Sequence, residues 1–229
     1  MQGTIYNYWP HPPQQLCGGG ASEALTQYLM LSELLAEVFS APLSVADLGQ
    51  LGQPINLEFL QQVANQLQTK PAAASLIALL GDYCRRPTLS ADLQRQYTAL
   101  FEGVFRHRSV SPYAGYWLGG SVAALAQADA FLQQLDLRQH EQYPERVDHV
   151  SVQLAALCIA LDDQQWPIAK QLAQYLQKWL PAFITALQQQ DESGFYAAWG
   201  QLLGAVIEKI NEILFIETRA VATAIAVDN

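Results

Sequence analysis

The sequence predicts an all-α protein, built as a single-chain bundle of about nine helices. From residue 22 onward, apolar residues recur every three or four positions, the period of a helix with one buried face. No segment alternates apolar and polar residues with an excess of β-branched side chains, and no Asn-Gly or Asp-Gly pair marks a hairpin. Hydrophobic residues make up 51% of the 229 residues and charged residues 14%, so the chain can bury a large core and is not disordered.

The first four predicted helices lie in the first half of the chain, and polar caps or prolines mark their ends. Ser22 and Ser90 are suited to cap the first and fourth helices. Pro42, Pro71 and Pro87 indicate where the first three helices have ended. The four apolar faces are Tyr28, Leu31, Leu35 and Val38; Leu57, Leu60, Ala64 and Leu67; Leu76, Leu80 and Tyr83; and Leu93, Tyr97, Leu100 and Val104.

The second half begins with a loop rich in proline and glycine, from about Arg106 to Gly120, which precedes the fifth predicted helix. The polar residues 136–146 interrupt the apolar pattern and predict a hinge. Pro167 suits the first turn of a seventh helix, whereas Pro181 should break or kink it. The later apolar faces are Leu125, Ala128, Leu132 and Leu135; Val147, Val150, Leu154, Leu157 and Leu161; Leu172, Leu176 and Trp179; and Trp199, Leu203, Val206, Ile210 and Ile213.

These patterns divide the chain into four segments. Residues 1–21 are rich in proline, glycine and aromatics without a period, which predicts a flexible N-terminal arm. Residues 22–135 form an N-terminal helical part, residues 136–146 the hinge, and residues 147–229 a C-terminal helical part.

Composition excludes several classes of function. The net charge is −9 and the 12 basic residues are scattered, so we expect no nucleic-acid partner and favour a basic one, such as an arginine-rich peptide. Cys17, Cys84 and Cys158 are far apart, which favours free thiols in a reducing compartment over disulfides. The N-terminus lacks the pattern of a secretory signal and no apolar run is long enough to span a membrane, so we expect a soluble, cytoplasmic protein.

The common catalytic and cofactor motifs are absent from the sequence. It contains no GxxxxGK[ST], GxGxxG, HExxH or GxSxG pattern. Its four histidines are dispersed, and the carboxylate pairs Asp162-Asp163 and Asp191-Glu192 fall at predicted helix junctions, where solvated caps are usual. We therefore expect no enzymatic activity, no cofactor and no metal site.

Two segments nevertheless stand out. The first, residues 97–117, is a helix end followed by a loop dense in Tyr and Trp, which either folds back over the core or presents aromatic side chains to a peptide. The second contains Asp148 and His149, which we place in the first turn of the sixth helix, at the edge of its inward face. An aspartate there offsets the positive end of the helix, so this pair is either a structural cap or part of a binding site.

Together, the two segments resemble the TorD/DmsD/NarJ family of redox-enzyme maturation chaperones. The family pattern is a helix ending in Tyr-x-x-Leu-Phe, a Pro-Pro-aromatic-x-Ser-x-Tyr loop, and, further along, Glu-Pro-x-Asp-His opening a Leu-rich helix. The matching residues are Tyr97, Leu100, Phe101, Pro112, Tyr113, Tyr116, Asp148 and His149, followed by Leu154 and Leu157. The chain departs from the pattern at Gly115, where the family usually has Ser, and at residues 144–147, which are Pro-Glu-Arg-Val.

The resemblance implies a TorD/DmsD-like helical fold whose two parts meet at the hinge and, in some relatives, exchange to form dimers. It implies a cytoplasmic chaperone that binds the precursor of a molybdenum-cofactor oxidoreductase by its twin-arginine signal peptide until cofactor insertion and folding are complete. An acidic rim and an apolar groove would suit such a peptide. Asp148 and His149 would couple its binding to the hinge. The candidate client-binding residues are Tyr97, Phe101, Pro112, Tyr113, Tyr116, Glu145, Asp148 and His149.

Two other functions fit the same sequence. One is a helical adaptor without a signal-peptide client, for which the two arginines of a peptide would not matter. The other is a nucleotide-responsive switch or weak GTPase, although the chain has no phosphate-binding loop. The sequence does not name the client or decide between a monomer and a domain-swapped dimer.

Overall fold

The prediction of an all-α fold is confirmed by the computed structural model. It describes residues 23–82, 86, 88–103, 108–120, 122–137 and 145–227, with side chains as far as Phe215, and contains no strand in these ranges. The described helices are α1 (Glu23–Ser40), α2 (Val45–Leu51), α3 (Pro54–Gln66), α4 (Lys70–Gly81), α5 (Leu89–Phe101), α6 (Ala114–Trp117), α7 (Val122–Gln134), α8 (Val150–Asp162), α9 (Trp166–Gln190) and α10 (Phe195–Val227). The predictions that lie outside the described residues concern Ser22, Tyr83, Cys84, Pro87, residues 104–107, the arm 1–21 and residues 138–144 of the hinge.

The long helices α9 and α10 pack along each other at the centre of the bundle. Helix α1 packs against α8 and α10, α4 against α3 and α10, and both α6 and α7 against α9. Aromatic rings fill the space where α1, α5, α9 and α10 meet: Phe101 contacts Phe39, Phe183 and Tyr196, with ring centres 6.0, 6.4 and 5.4 Å apart. The described residues on both sides of the segment 136–146 therefore share one hydrophobic core, and the division into two parts at a hinge stays a prediction.

The structure contains two helices that the apolar period does not predict. Helix α2 begins with a capping box, in which Ser44 Oγ accepts a hydrogen bond from the Asp47 N–H at 3.2 Å and Asp47 Oδ2 accepts one from the Ser44 N–H at 2.7 Å. Helix α6 is a single turn within the predicted aromatic loop. Both are too short to show a helical period in the sequence.

Two predictions about helix ends, besides the start of α8 described below, need correction. Helix α9 does not break at Pro181, because the proline is exposed while Leu180 and Phe183 beside it are buried, and packing of that face outweighs the lost main-chain hydrogen bond. Ser90 is not a cap but a buried residue in the first turn of α5, and Thr88 is the N-cap.

Candidate functional site

The two segments singled out in the sequence are joined in the structure by main-chain hydrogen bonds. Tyr113, just before α6, and His149, just before α8, form an isolated antiparallel bridge. Beside it, the Val150 N–H donates to the carbonyl oxygen of the buried Pro112 at 2.9 Å. The aromatic loop and the start of α8 are therefore joined directly and are not two separate surface features.

The side chain of Asp148 holds this unit together from inside. It is 0% exposed, and its Oδ2 accepts hydrogen bonds from the Gly115 N–H at 3.1 Å and from Arg146 Nη2 at 3.0 Å. Its main-chain carbonyl accepts the Ala114 N–H at 2.9 Å and the side-chain amide of Gln153 at 3.1 Å. Asp148 Oδ1 has no hydrogen-bond partner among the described residues. The carboxylate thus anchors the loop to α8 through one oxygen only.

Gly115 explains one departure from the family pattern. A Cβ atom at this position would lie 2.9 Å from Asp148 Oδ2, closer than real Cβ contacts come. The missing side chain lets the carboxylate approach the backbone of α6 directly. A serine in the same place would need a different arrangement of Asp148.

His149 is the N-cap of α8 and is held neutral. Its Nδ1 accepts the Ser151 N–H at 3.2 Å and lies 2.7 Å from the Ser151 hydroxyl, so the ring proton belongs on Nε2. Burial lowers the pKa of His149 to about 4, although the nearby carboxylates of Glu145 and Asp148 act in the opposite direction. The prediction that Asp148 and His149 lie within the first turn of the helix, at the edge of its inward face, is wrong: both precede α8 and both are buried.

The outer layer of the site consists of Tyr113, Glu145 and Arg146. The Tyr113 hydroxyl donates to Glu145 Oε2 at 2.5 Å, and the Arg146 guanidinium lies over the Tyr113 ring, 5.1 Å from its centre. Burial and the Glu145 carboxylate raise the pKa of Tyr113, so the phenol stays protonated and donates. Glu145 Oε2 is 3.9 Å from His149 Nε2, too far for a hydrogen bond. The side chains of Glu145 and Arg146 are 25% and 58% exposed, which makes them the charged groups that a ligand can reach.

The aromatic residues around this layer divide between surface and core. Tyr116 is 66% exposed and touches the half-buried Trp117 ring edge-on, at 4.9 Å between ring centres. Trp117 donates from Nε1 to the Ser111 carbonyl at 2.8 Å and contacts Phe183 of α9. The loop therefore folds back onto the core at Trp117 and leaves the Tyr116 ring exposed, while recognition of a peptide by this ring stays a prediction.

Tyr97 and Phe101 are not brought to this surface. Tyr97 is buried, and its hydroxyl donates to the Phe39 carbonyl at 3.1 Å. Phe101 packs on Tyr97 and on Phe183, and Phe183 in turn contacts Trp117. These two candidate residues support the exposed loop from beneath through a chain of ring contacts.

Sequence reasoning missed Arg146 and Gly115 as members of the site. Both were visible as departures from the family pattern: aligned on the Asp-His pair, Glu145 takes the place of the motif's Glu and Arg146 that of its Pro. Ser151 and Gln153 carry no comparable signal, because polar residues in the first turn of a helix are common.

No group of three or more His, Cys, Asp or Glu side chains in the described ranges could hold a metal ion. Among the described residues, the helices are too short or too polar to cross a bilayer. Cys158, on α8, is a buried free thiol.

The described fold is an all-α bundle, and comparison with known proteins identifies the class of protein to which it belongs. The model of the nitrate reductase delta subunit family matches residues 61–185, more than half of the chain and a range that includes all eight candidate site residues. The chain belongs to this family. The resemblance to redox-enzyme maturation chaperones of the TorD/DmsD/NarJ type is thereby confirmed, and with it the prediction that the protein is a chaperone and not an enzyme.

The sequence matches to known chaperones cover most of each chain. The chain is 27% identical to the chaperone protein TorD of Shewanella piezotolerans, over 81% of this chain and 91% of the relative. It is 26% identical to TorD of Aeromonas salmonicida, over 80% and 92%, and 28% identical to TorD of Salmonella agona, over 62% and 71%.

Proposed function

We propose that this chaperone binds the precursor of a molybdenum-cofactor oxidoreductase through its twin-arginine signal peptide. It acts in the cytoplasm and holds the precursor until cofactor insertion and folding are complete. The observation that carries the proposal is the Tyr113–Glu145 pair, a partly exposed carboxylate that is oriented by a tyrosine of the same loop that exposes the Tyr116 ring.

The basic part of the peptide meets Glu145. A guanidinium pairs with a carboxylate through two parallel hydrogen bonds, and Glu145 is already oriented by the Tyr113 hydroxyl. The net charge of −9 attracts a basic peptide over a longer range. Asp148 is enclosed, so it acts in the free protein as a positioning residue rather than as a contact.

The apolar part of the peptide meets the exposed apolar side chains of α6 and α7. Tyr116 is 66% exposed, and Val122, at the start of the adjacent helix α7, is 84% exposed. Exposed apolar side chains together with an accessible carboxylate match a ligand whose arginines precede an apolar segment. Tyr97 and Phe101 contribute from the core by supporting Trp117 and the loop.

Asp148 and His149 are proposed to couple binding to the hinge. They are the residues that fasten the aromatic loop to the start of α8, directly after residues 136–146. The assembly is a monomer or a domain-swapped dimer, which light scattering of the purified protein distinguishes.

Two measurements test the function. Affinity capture from anaerobically grown source cells, with mass spectrometry, should recover a molybdoenzyme precursor with an uncleaved signal. In a defined system, the probe is a synthetic peptide in which two arginines precede a Leu/Ala-rich segment. Glu145→Gln keeps an acceptor for the Tyr113 hydroxyl but removes the charge, and should weaken binding about three- to tenfold.

Glu58→Gln is the matched control, because Glu58 is exposed on α3 outside the site and loses the same charge. It should stay within about twofold of the unchanged protein, since a distant surface charge is screened. Equal losses of peptide affinity in the two variants would mean that the peptide is attracted by the overall negative charge and not by Glu145. Binding that ignores replacement of the peptide arginines by glutamine would favour the adaptor function instead.

A further inference from the structure

The site already contains an arginine of its own. Arg146 Nη2 is 3.0 Å from Asp148 Oδ2, and the guanidinium carbon lies 5.1 Å from the centre of the Tyr113 ring. A carboxylate and an aromatic face are the two partners that favour arginine over lysine. Arg146 therefore occupies the best guanidinium position in the described part of the site.

The interactions that hold Arg146 in this position are few, and its side chain is largely exposed. The guanidinium makes one hydrogen bond to Asp148 rather than a two-pronged pair, and Asp148 Oδ1 has no partner among the described residues. With its side chain 58% exposed, Arg146 regains hydration easily when it leaves. Of the two charged groups, only Asp148 is buried. The free-energy cost of separating the pair therefore comes from the Asp148 carboxylate, which would stay enclosed without a cation.

An incoming arginine removes that cost. A second guanidinium over Tyr113 would again neutralise Asp148 through Oδ2, the oxygen that Arg146 contacts in the free protein. Because His149 is neutral, Arg146 is the cation that faces the Asp148 carboxylate among the described residues of the site. Its departure therefore leaves this carboxylate for one peptide guanidinium.

We propose that Arg146 is an internal competitor for peptide arginines and sets the selectivity of the site. In the free chaperone it covers Tyr113 and neutralises Asp148; on binding, a peptide guanidinium takes over both contacts while Glu145 holds the second arginine. This inference rests on the proposed function. It predicts that paired arginines, which replace Arg146 in full, are preferred over paired lysines, which lack the planar guanidinium.

The test measures the affinity of the two-arginine peptide and of its two-lysine counterpart for Arg146→Gln. Glutamine can still donate a hydrogen bond to Asp148 but carries no charge. Affinity for the two-arginine peptide should rise about three- to tenfold, because Arg146 no longer occupies the guanidinium position at Tyr113 and Asp148 in the free protein. The gain for the two-lysine peptide should be smaller. Arg95→Gln, which removes an exposed arginine on α5, is the matched control and should stay within about twofold.

A second measurement uses the unchanged protein and does not depend on a variant. The Arg146 Nε–Hε signal in a ¹H–¹⁵N spectrum, assigned by its loss in Arg146→Gln, should be shifted by the Tyr113 ring in the free protein. At saturation with the two-arginine peptide, it should move to the position of a solvent-exposed arginine. Thermal unfolding checks that Arg146→Gln is folded.

The outcomes separate the two proposals. If the unchanged protein binds the peptide but Arg146→Gln binds it equally well or less well, or if the Arg146 signal does not move, Arg146 is only a structural partner of Asp148 and the competitor role is wrong. If neither protein binds the two-arginine peptide, the proposed function fails and this inference fails with it.

Discussion

The contact between Gly115 and Asp148 can be tested with a double-mutant cycle. The variants are Gly115→Ala, Asp148→Ala and the double variant. A methyl group on residue 115 would stand 2.9 Å from Asp148 Oδ2, and that oxygen accepts the Gly115 N–H at 3.1 Å. Removing the carboxylate removes the obstacle, so the two substitutions should not be additive.

The expected size of each effect follows from these contacts. Asp148→Ala leaves the buried Gly115 N–H without its acceptor, which costs about 1–3 kcal/mol. Gly115→Ala alone forces the carboxylate to shift, at about 1–3 kcal/mol for overpacking, partly offset by about 0.5–1 kcal/mol because alanine is the better helix residue. In the Asp148→Ala background only the helix gain remains. The coupling free energy is therefore about 1–3 kcal/mol.

The assay is urea unfolding of the four proteins, followed by tryptophan fluorescence and circular dichroism. Gly115→Ala should lower the free energy of unfolding in the unchanged protein and leave it unchanged or raised in the Asp148→Ala background. Asp148→Asn, which keeps an oxygen for the Gly115 N–H, should cost less than Asp148→Ala. Effects that add within about 0.5 kcal/mol would refute the close approach of the carboxylate to α6.

Two further predictions concern stability. Pro181→Ala should raise the free energy of unfolding by about 1–3 kcal/mol, because it restores a main-chain donor inside α9; an unchanged or lower value in urea unfolding would mean that α9 is adapted to the proline. The pKa of His149 is about 4 in the folded protein, below its usual 6.5, so between these pH values the unfolded chain binds a proton that the folded chain does not. The free energy of unfolding is therefore unaffected by His149 above pH 6.5 and falls by about 3 kcal/mol as the pH is lowered to 4. His149→Asn, which retains an N-cap side chain, should flatten the fall in stability between those pH values, and an unaltered pH profile would contradict the neutral, buried ring.

The Asp-His pair has a structural task that a surface motif would not have. Asp148 ties α6 to the start of α8, and His149 caps α8 with the nitrogen that accepts from Ser151. The charged groups that a ligand can contact are Glu145 and Arg146, which lie closer to the surface than Asp148 and His149. Substituting Asp148 therefore changes the support of the site, and any loss of peptide binding must be separated from the loss of stability worked out above.

Long helices were predictable because their signal is local. The apolar faces of α1, α3, α8 and α10 appear in the sequence at helical spacing and are buried in the structure. The short helices α2 and α6 were not predicted, although the Ser44-x-x-Asp47 capping box marks the start of α2. At Pro181 the sequence predicted a break that the structure does not have. Proline is unfavourable inside a helix, but buried side chains on either side of it in α9 keep the helix intact.

The site was predictable as a set of residues but not as an arrangement. The ordered pattern from Tyr97 to His149 was enough to indicate the family, because the spacing of several weak motifs is more specific than any one of them. The pattern could not show that Tyr97 belongs to the core and Tyr116 to the surface. Their exposure depends on which helices lie above each ring, and that is decided by contacts distant in sequence.

The sequence by itself determined the helical class, the acidic character and the family, since periodicity, charge and motif order are properties of the chain. Only the tertiary structure decided that Asp148 is enclosed, that Gly115 must lack a side chain, and that Arg146 covers Tyr113. The physical reason is that the carboxylate and its Gly115 partner are 33 positions apart and meet only when the loop docks on α8. Burial and pairing of a charge depend on that docking, and no local pattern encodes them.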